Sequence, residues 1–242
     1  MENCKMRIGV LGGIGPLSSV AFYKELINRI QNTGLFQSNC QYPEIMIENI
    51  PGEELTDLLP EKNKGKLQCY IKGLKNLVSL EPTFIVMVCN TIHVYYDHLI
   101  ESVGFTNILS IRKLVYSRIK RCELGGFNRE KICVLGTPTT IKLGLYDFND
   151  FDYVALPKDK MRVIAQAVND YTITGNKENN VNRLKGVIDY AQEKGANLFI
   201  LACTEISLLL RSYPGILSID PLSLLVDYSI AACVNDLANK AA

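Results

Sequence analysis

Thr83-Phe84-Ile85-Val86-Met87-Val88-Cys89-Asn90-Thr91 and Asn197-Leu198-Phe199-Ile200-Leu201-Ala202-Cys203-Thr204-Glu205 are two copies of one pattern. In each, five apolar residues run into a cysteine and then into a small polar residue. This is how a strand buried on both faces reads where it stops and a helix starts. Such an ending sets a thiol at the carboxyl edge of a sheet, beside a helix N-terminus that favours negative charge. One cysteine so placed suggests a nucleophile or a base. Two, one in each half of the chain, suggest thiols facing each other across a cleft.

Working outward, the flanking strands also pair. Arg7-Ile8-Gly9-Val10-Leu11-Gly12-Gly13 resembles Lys131-Ile132-Cys133-Val134-Leu135-Gly136-Thr137, and Ile108-Leu109-Ser110-Ile111 matches Ile216-Leu217-Ser218-Ile219. Three matches in the same order point to an internal duplication with loops of different length. Between the strands, residues 17–30, 67–80, 161–171 and 181–194 carry apolar residues at helical spacing, as do the shorter 113–119 and the final 222–237. Residues 34–42 and 176–180 read as loops. The expectation is an α/β fold of two similar three-layer domains with mostly parallel sheets, related by pseudo-twofold symmetry. The first domain takes residues 1–108 plus 220–242 and the second takes 109–219. The final helix is expected to pack back on the first half.

The composition narrows the function classes. With 26 basic and 25 acidic residues, a net charge of +1 gives no electrostatic reason to expect nucleic acid or an acidic membrane as partner. The basic cluster Arg112, Lys113, Arg118, Lys120 and Arg121 reads as a solvated helix face. No apolar run approaches the roughly 20 residues that span a bilayer, and no apolar stretch follows the first six residues, so the chain reads as cytoplasmic. Eight cysteines without a CxxC pair read as reduced thiols. Cys89 and His93 sit one helical turn apart, but two histidines in the whole chain are too few for a His-based metal site.

In a parallel α/β sheet, ligands bind outside the carboxyl ends of the strands. Each polar motif falls at such an end: Gly12-Gly13-Ile14-Gly15-Pro16, Cys89-Asn90-Thr91, Gly136-Thr137-Pro138-Thr139-Thr140 and Cys203-Thr204-Glu205. The first resembles a dinucleotide fingerprint from Gly13 to Gly15, but Ser18 stands where its third glycine belongs. A backbone cradle for a carboxylate asks less of it. Two opposed thiols suit inversion of a stereocentre, which needs a base on one face and an acid on the other. With an ordinary pKa near 8.5, ionising a thiol at pH 7 costs about 2 kcal/mol. Gly13, Gly15, Asn90, Thr91, Thr137, Thr140 and Thr204 are the candidates for holding a substrate carboxylate by neutral hydrogen bonds.

The segments Leu11–Leu17, Cys89–His93, Leu135–Thr140 with Tyr146, and Leu201–Ile206 resemble those of the aspartate/glutamate racemase superfamily, most closely its aspartate racemase branch, to which Glu205 after the second Cys-Thr points. The resemblance runs from about Arg7 to Asp220. It implies cofactor-independent racemisation of an amino acid in a cleft between two α/β domains, with Cys89 and Cys203 as the acid/base pair and the protein a homodimer. His93 is then a residue that orients the helix after Cys89, or a buried core histidine. Three positions depart from the family. Ile50-Pro51-Gly52-Glu53 lacks the arginine of a Pro-Asp-Arg-like segment, Thr174 stands where a lysine is usual, and Leu143 where a serine is. These changes leave specificity for aspartate without its usual cations and point to a related or broader set of amino acids. Two alternatives remain open: another isomerase or a decarboxylase of the superfamily, and a non-catalytic two-lobed binding protein.

Overall fold

The computed structural model describes residues 6–53, 55, 60–124 and 131–241. In chain order, the first half comprises strand β1 (Arg7–Gly12), helix α1 (Pro16–Asn32), β2 (Glu44–Asn49), α2 (Leu67–Val78), β3 (Phe84–Met87) and α3 (Tyr96–Val103). Helix α4 (Ile111–Leu124) leads into the second half. There β4 (Lys131–Gly136), α5 (Pro138–Lys142), β5 (Asp152–Tyr153), α6 (Lys158–Thr174), α7 (Lys177–Glu193), β6 (Leu198–Ala202), α8 (Thr204–Leu210) and β7 (Ser218–Ile219) precede the last helix, α9 (Pro221–Ala241).

The duplication is visible in the sheets. One runs in the order β2-β1-β3, the other β5-β4-β6-β7, and every pairing is parallel. A single parallel bridge from Ile85 to Ile108 occupies the place in the first sheet that β7 holds in the second. Ile108–Ile111 is therefore barely a strand, because Ile111 already opens α4.

Alternation along the strands explains the layers. Ile8 and Val10 of β1 and Leu198 and Ile200 of β6 face a shared central core. There they meet Phe22, Leu26 and Ile30 of α1, Val115 and Ile119 of α4, and Leu222 and Leu225 of α9. The intervening residues face outward. Leu11, Ile85 and Met87 pack on α2 through Leu67, Tyr70 and Leu74. Leu135, Phe199 and Leu201 pack on α6 and α7 through Ile164, Leu184 and Ile188. Helix α9 packs on α1 and α4 and also touches α8 and β6.

Residues 176–180 are not a loop. Asn176 is the N-cap of α7, its side chain accepting from the Asn179 backbone N–H at 3.2 Å; Lys177, Glu178 and Asn179 open the first turn exposed, while Asn180 is buried. Cys40, Cys69, Cys89, Cys133, Cys203 and Cys233 are free thiols, and no helix among the described residues is long and apolar enough to cross a membrane.

The turn after β1 needs its glycines. Gly13 has φ 88°, and a Cβ there would lie 2.1 Å from the Ile50 carbonyl oxygen, while its N–H donates to Ser19 Oγ at 3.0 Å. Replacement Gly13→Ala combines left-handed strain with a backbone clash. It is expected to destabilise the protein by about 2 kcal/mol or more, read as a lower urea midpoint.

Candidate functional site

Cys89 follows β3, where the chain turns into a short 3-10 segment at Thr91–Tyr95. Cys203 follows β6 in extended conformation and is the N-cap residue of α8. Equivalent strands thus end in equivalent thiols. Both are buried, at 8% and 7% exposure, and both border one cavity of about 440 Å³. A larger cavity, about 710 Å³, lies beside Tyr96, Arg112 and Phe148 and touches neither thiol.

Of the carboxylate-binding candidates, Gly15, Asn90, Thr91, Thr137 and Thr204 line the thiol cavity. Thr140 stands next to it, its hydroxyl bonded to Thr91 Oγ1 at 2.9 Å and to Thr137 Oγ1 at 3.0 Å. Thr137 also caps α5 by accepting from the Thr140 N–H. Gly13 does not reach the cavity, and its conformation answers to Ile50. Asn90 is 2% exposed. Its Oδ1 accepts from the Tyr146 hydroxyl, whereas its Nδ2 is buried with no hydrogen-bond partner. A buried donor left unpaired costs about 1–3 kcal/mol, so this one is suited to an acceptor arriving in the cavity.

The thiols sit in unlike electrostatic surroundings. Burial pushes Cys89 up to about 11, opposed by the backbone N–H of Ile92 and reinforced by the charge of Glu205. Burial also pushes Cys203 well above the usual thiol range, and Glu205 adds to this by both charge and hydrogen bond. Tyr146 is held well above its ordinary value by burial first and then by the negative charge of Cys89, so it remains a neutral donor.

Several cavity residues escaped the sequence reading. Ala165, Val168, Asn169 and Thr172 form one wall of it from α6. Their spacing of three and four residues was legible as a second stripe on that helix. Leu55, Ile14, Pro138 and Thr139 complete the wall. Glu205, read only as a marker of the branch, is the one charged side chain on the lining among the described residues.

The three departures all lie off this lining. Glu53 is exposed and offers its backbone carbonyl to the Tyr70 hydroxyl. Thr174 bonds back to the Asp170 carbonyl at 2.8 Å, and Leu143 borders the larger cavity. Among the described residues, no three His, Cys, Asp or Glu side chains gather as a metal site would require.

Comparison with known proteins gives a family and a fold for the chain. The model of the Asp/Glu/Hydantoin racemase family matches residues 11–228. The broad specificity amino-acid racemase RacX of Bacillus subtilis (strain 168) is 26% identical over 208 residues, covering 84% of this chain and 87% of that protein. Two solved structures share the fold. The aspartate racemase of Picrophilus torridus has a TM-score of 0.72 at 21% identity, covering 94% of each chain. An aspartate racemase homologue from Pyrococcus horikoshii has 0.73 at 22%, covering 95% of this chain and 99% of its own.

His93 is a buried histidine whose Nε2 lies 3.2 Å from the Met87 carbonyl. A carbonyl only accepts, so the proton is on Nε2. The bond ties the segment after Cys89 back to the end of β3. Burial lowers the pKa of His93 from 6.5 to about 4, with the Met87 carbonyl opposing. Between these values the unfolded chain binds a proton that the folded one does not. The contribution is therefore complete above pH 6.5 and lost as pH falls through 4. Stability is expected to drop by up to about 3 kcal/mol over that window. Urea unfolding from pH 4 to 7.5 checks this, with a shallower pH dependence in His93→Gln.

Proposed function

The chain belongs to the Asp/Glu/Hydantoin racemase family, and from that membership we propose that it is an amino-acid racemase whose acid/base pair is Cys89 and Cys203. The observation that carries the reading is that two thiols from equivalent strand ends border one small cavity. Binding alone asks for no thiol at either place, whereas inversion at carbon asks for a proton acceptor and a proton donor.

In this reading the substrate carboxylate takes the unpaired Asn90 Nδ2 and the hydroxyls of Thr91 and Thr137. These neutral donors also hold the charge that moves onto the carboxylate as the α-proton leaves. Tyr146 holds the Asn90 amide in place through Oδ1. One thiolate removes the α-proton from one face, and the opposite thiol delivers its proton to the other. The roles reverse for the other enantiomer. Burial makes either thiolate costly in the free protein, and the substrate ammonium offsets part of that cost by bringing a positive charge into a site whose lining carries only Glu205. No lysine lines the cavity among the described residues to form a Schiff base with pyridoxal phosphate, which favours a reaction run by the thiols without a cofactor.

The walls favour neutral side chains. Ile14, Leu55, Ala165 and Val168 give an apolar surface, and among the described residues no arginine or lysine stands on it to pair with a second carboxylate. The broad specificity in the name of the Bacillus relative accords with such a wall. Aspartate is a poorer fit than an amino acid with a small aliphatic or neutral polar side chain.

A panel of L- and D-amino acids in deuterated water, without added cofactor, tests this by reading inversion and α-deuterium incorporation together. Neutral amino acids are expected to invert. Aspartate is expected to be slower by about tenfold or more, the factor that about 1.4 kcal/mol of missing ion pairing produces. Cys89→Ala and Cys203→Ala should each lower inversion by about 10³-fold. Exchange with no substrate at all, or inversion surviving both substitutions, sinks the reading.

A further inference from the structure

Glu205 is 7% exposed, and every polar contact it makes among the described residues comes from a donor. Its Oε2 accepts from Cys203 Sγ at 2.9 Å and from Thr204 Oγ1 at 3.1 Å, and its Oε1 accepts from Ser18 Oγ at 3.3 Å. Gly15 makes room for it: at φ 84°, a Cβ there would lie 2.2 Å from Oε1. The carboxylate is thus built into the cavity wall and held there by three donors. Both thiols are faced by backbone N–H groups, those of Ile92 and Thr91 at Cys89 and those of Glu205 and Ile206 at Cys203, but the side chain beside Cys89 is the neutral Thr91 hydroxyl. Glu205 acts on Cys89 by charge, without a hydrogen bond.

We infer that Glu205 is a positioning residue that makes the two thiols unequal: it holds the proton on Cys203, which becomes the resting acid, and leaves Cys89 as the resting base. This rests on the racemase reading for the words acid and base, but not for the inequality itself. A Cys203 thiolate would stand beside a carboxylate at hydrogen-bond distance, with both groups buried, and would lose the bond its own proton makes. Either thiolate would keep its backbone donors, so the difference lies in the carboxylate bonded to Cys203 and the hydroxyl beside Cys89. The titratable groups set against these thiols are Glu205 on α8 and Tyr146 on the segment after α5; the other lining side chains are neutral.

The inequality has a kinetic signature. One enantiomer meets the resting form directly, whereas the other needs the form with Cys203 ionised. The enantiomers have equal free energy, so kcat/KM must be the same in both directions. The difference therefore appears as unequal kcat balanced by unequal KM, and Glu205→Gln is expected to bring the two kcat values closer.

The direct test uses free protein without substrate. Alkylation of each cysteine by iodoacetamide is followed by peptide mass spectrometry across a pH series, in wild type and in E205Q. In wild type, Cys89 should react at a lower pH midpoint than Cys203. In E205Q, the Cys203 midpoint should fall by about one pH unit or more, and that of Cys89 by less. Equal or reversed order in wild type, or an unmoved Cys203 in E205Q, overturns the inference. Glu205→Asp, which keeps the charge but draws it back from the thiol, gives a smaller shift and serves where E205Q does not fold. The order of alkylation is independent of turnover. A protein that inverts no amino acid but keeps this order refutes the racemase reading alone, and inversion with reversed order refutes this one alone.

Discussion

Both sheets of this chain are apolar on two faces, and that constraint governs where chemistry can sit. Ile8, Val10, Leu198 and Ile200 are spent on the central core, and Leu11, Leu135, Phe199 and Leu201 on the outer ones. A polar group along either strand would be buried without a partner, at a cost of several kcal/mol. Only the carboxyl ends, where the strands give way to turns and short helices, can present thiols, hydroxyls and amides to a ligand. Parallel pairing puts all those ends on one side of each sheet, and the shared core of α1, α4 and α9 holds the two sheets together so that both sets of ends border one cavity.

Hydrogen bonds then join the two halves around that cavity. Thr91 of the first half meets Thr140 of the second at 2.9 Å. Tyr146 donates to Asn90, and Ser18 of α1 donates to Glu205 of α8. Farther from the cavity, Arg211 at the end of α8 bonds to Glu25 of α1 and to Asp220 ahead of α9. Arg29 of α1 pairs with Asp227 of α9, which also takes Arg118 of α4 at 3.2 Å. Such partly exposed ion pairs contribute little to stability individually. As a connected set they fix how α1, α8 and α9 lie against one another, and the positions of Ser18 and Glu205 depend on that.

The legible parts of the fold were those decided by burial on both faces. Strands β1, β3, β4 and β6 announce themselves as unbroken apolar runs. The edge strand β2 does not, because only three apolar residues lie between Glu44 and Glu48 and none of them is fully buried, and β5 is only two residues long. Residues 176–180 misled because the start of a capped helix, with Lys177, Glu178 and Asn179 exposed, has the composition of a loop. At the site, the two cysteines and their immediate polar neighbours were legible from the repeat. The wall from α6 was not, since a short stripe of Ala165, Val168, Asn169 and Thr172 gives no sign of which cavity it faces until the helix is docked. Glu205 was hidden for a different reason. A carboxylate in the first turn of a helix ordinarily reads as a solvated charge favouring the helix dipole, and only packing against Gly15 and Ser18 reveals that it is turned inward onto Cys203.

The duplication and the departures from it bear differently on the proposed activity. Repeating the strand–thiol unit supplies two thiols at matched positions, and in the proposed activity these are the acid and base that exchange between mirror-image substrates needs. The residues after each thiol are not repeated: Asn90 and Thr91 succeed one, Thr204 and Glu205 the other. The first pair supplies uncharged donors suited to a carboxylate. The second brings a carboxylate, which in the proposed activity suits an ammonium better than a further carboxylate. Because L- and D-amino acids share these two groups and differ only in how the side chain and the α-proton are exchanged, a cavity that grips the carboxylate and ammonium and leaves the side chain to an apolar wall can accept both enantiomers. The same division of contacts makes the side chain the least restrained part of the substrate. In the proposed activity, breadth of substrate and tolerance of both hands would therefore arise from one arrangement of polar groups.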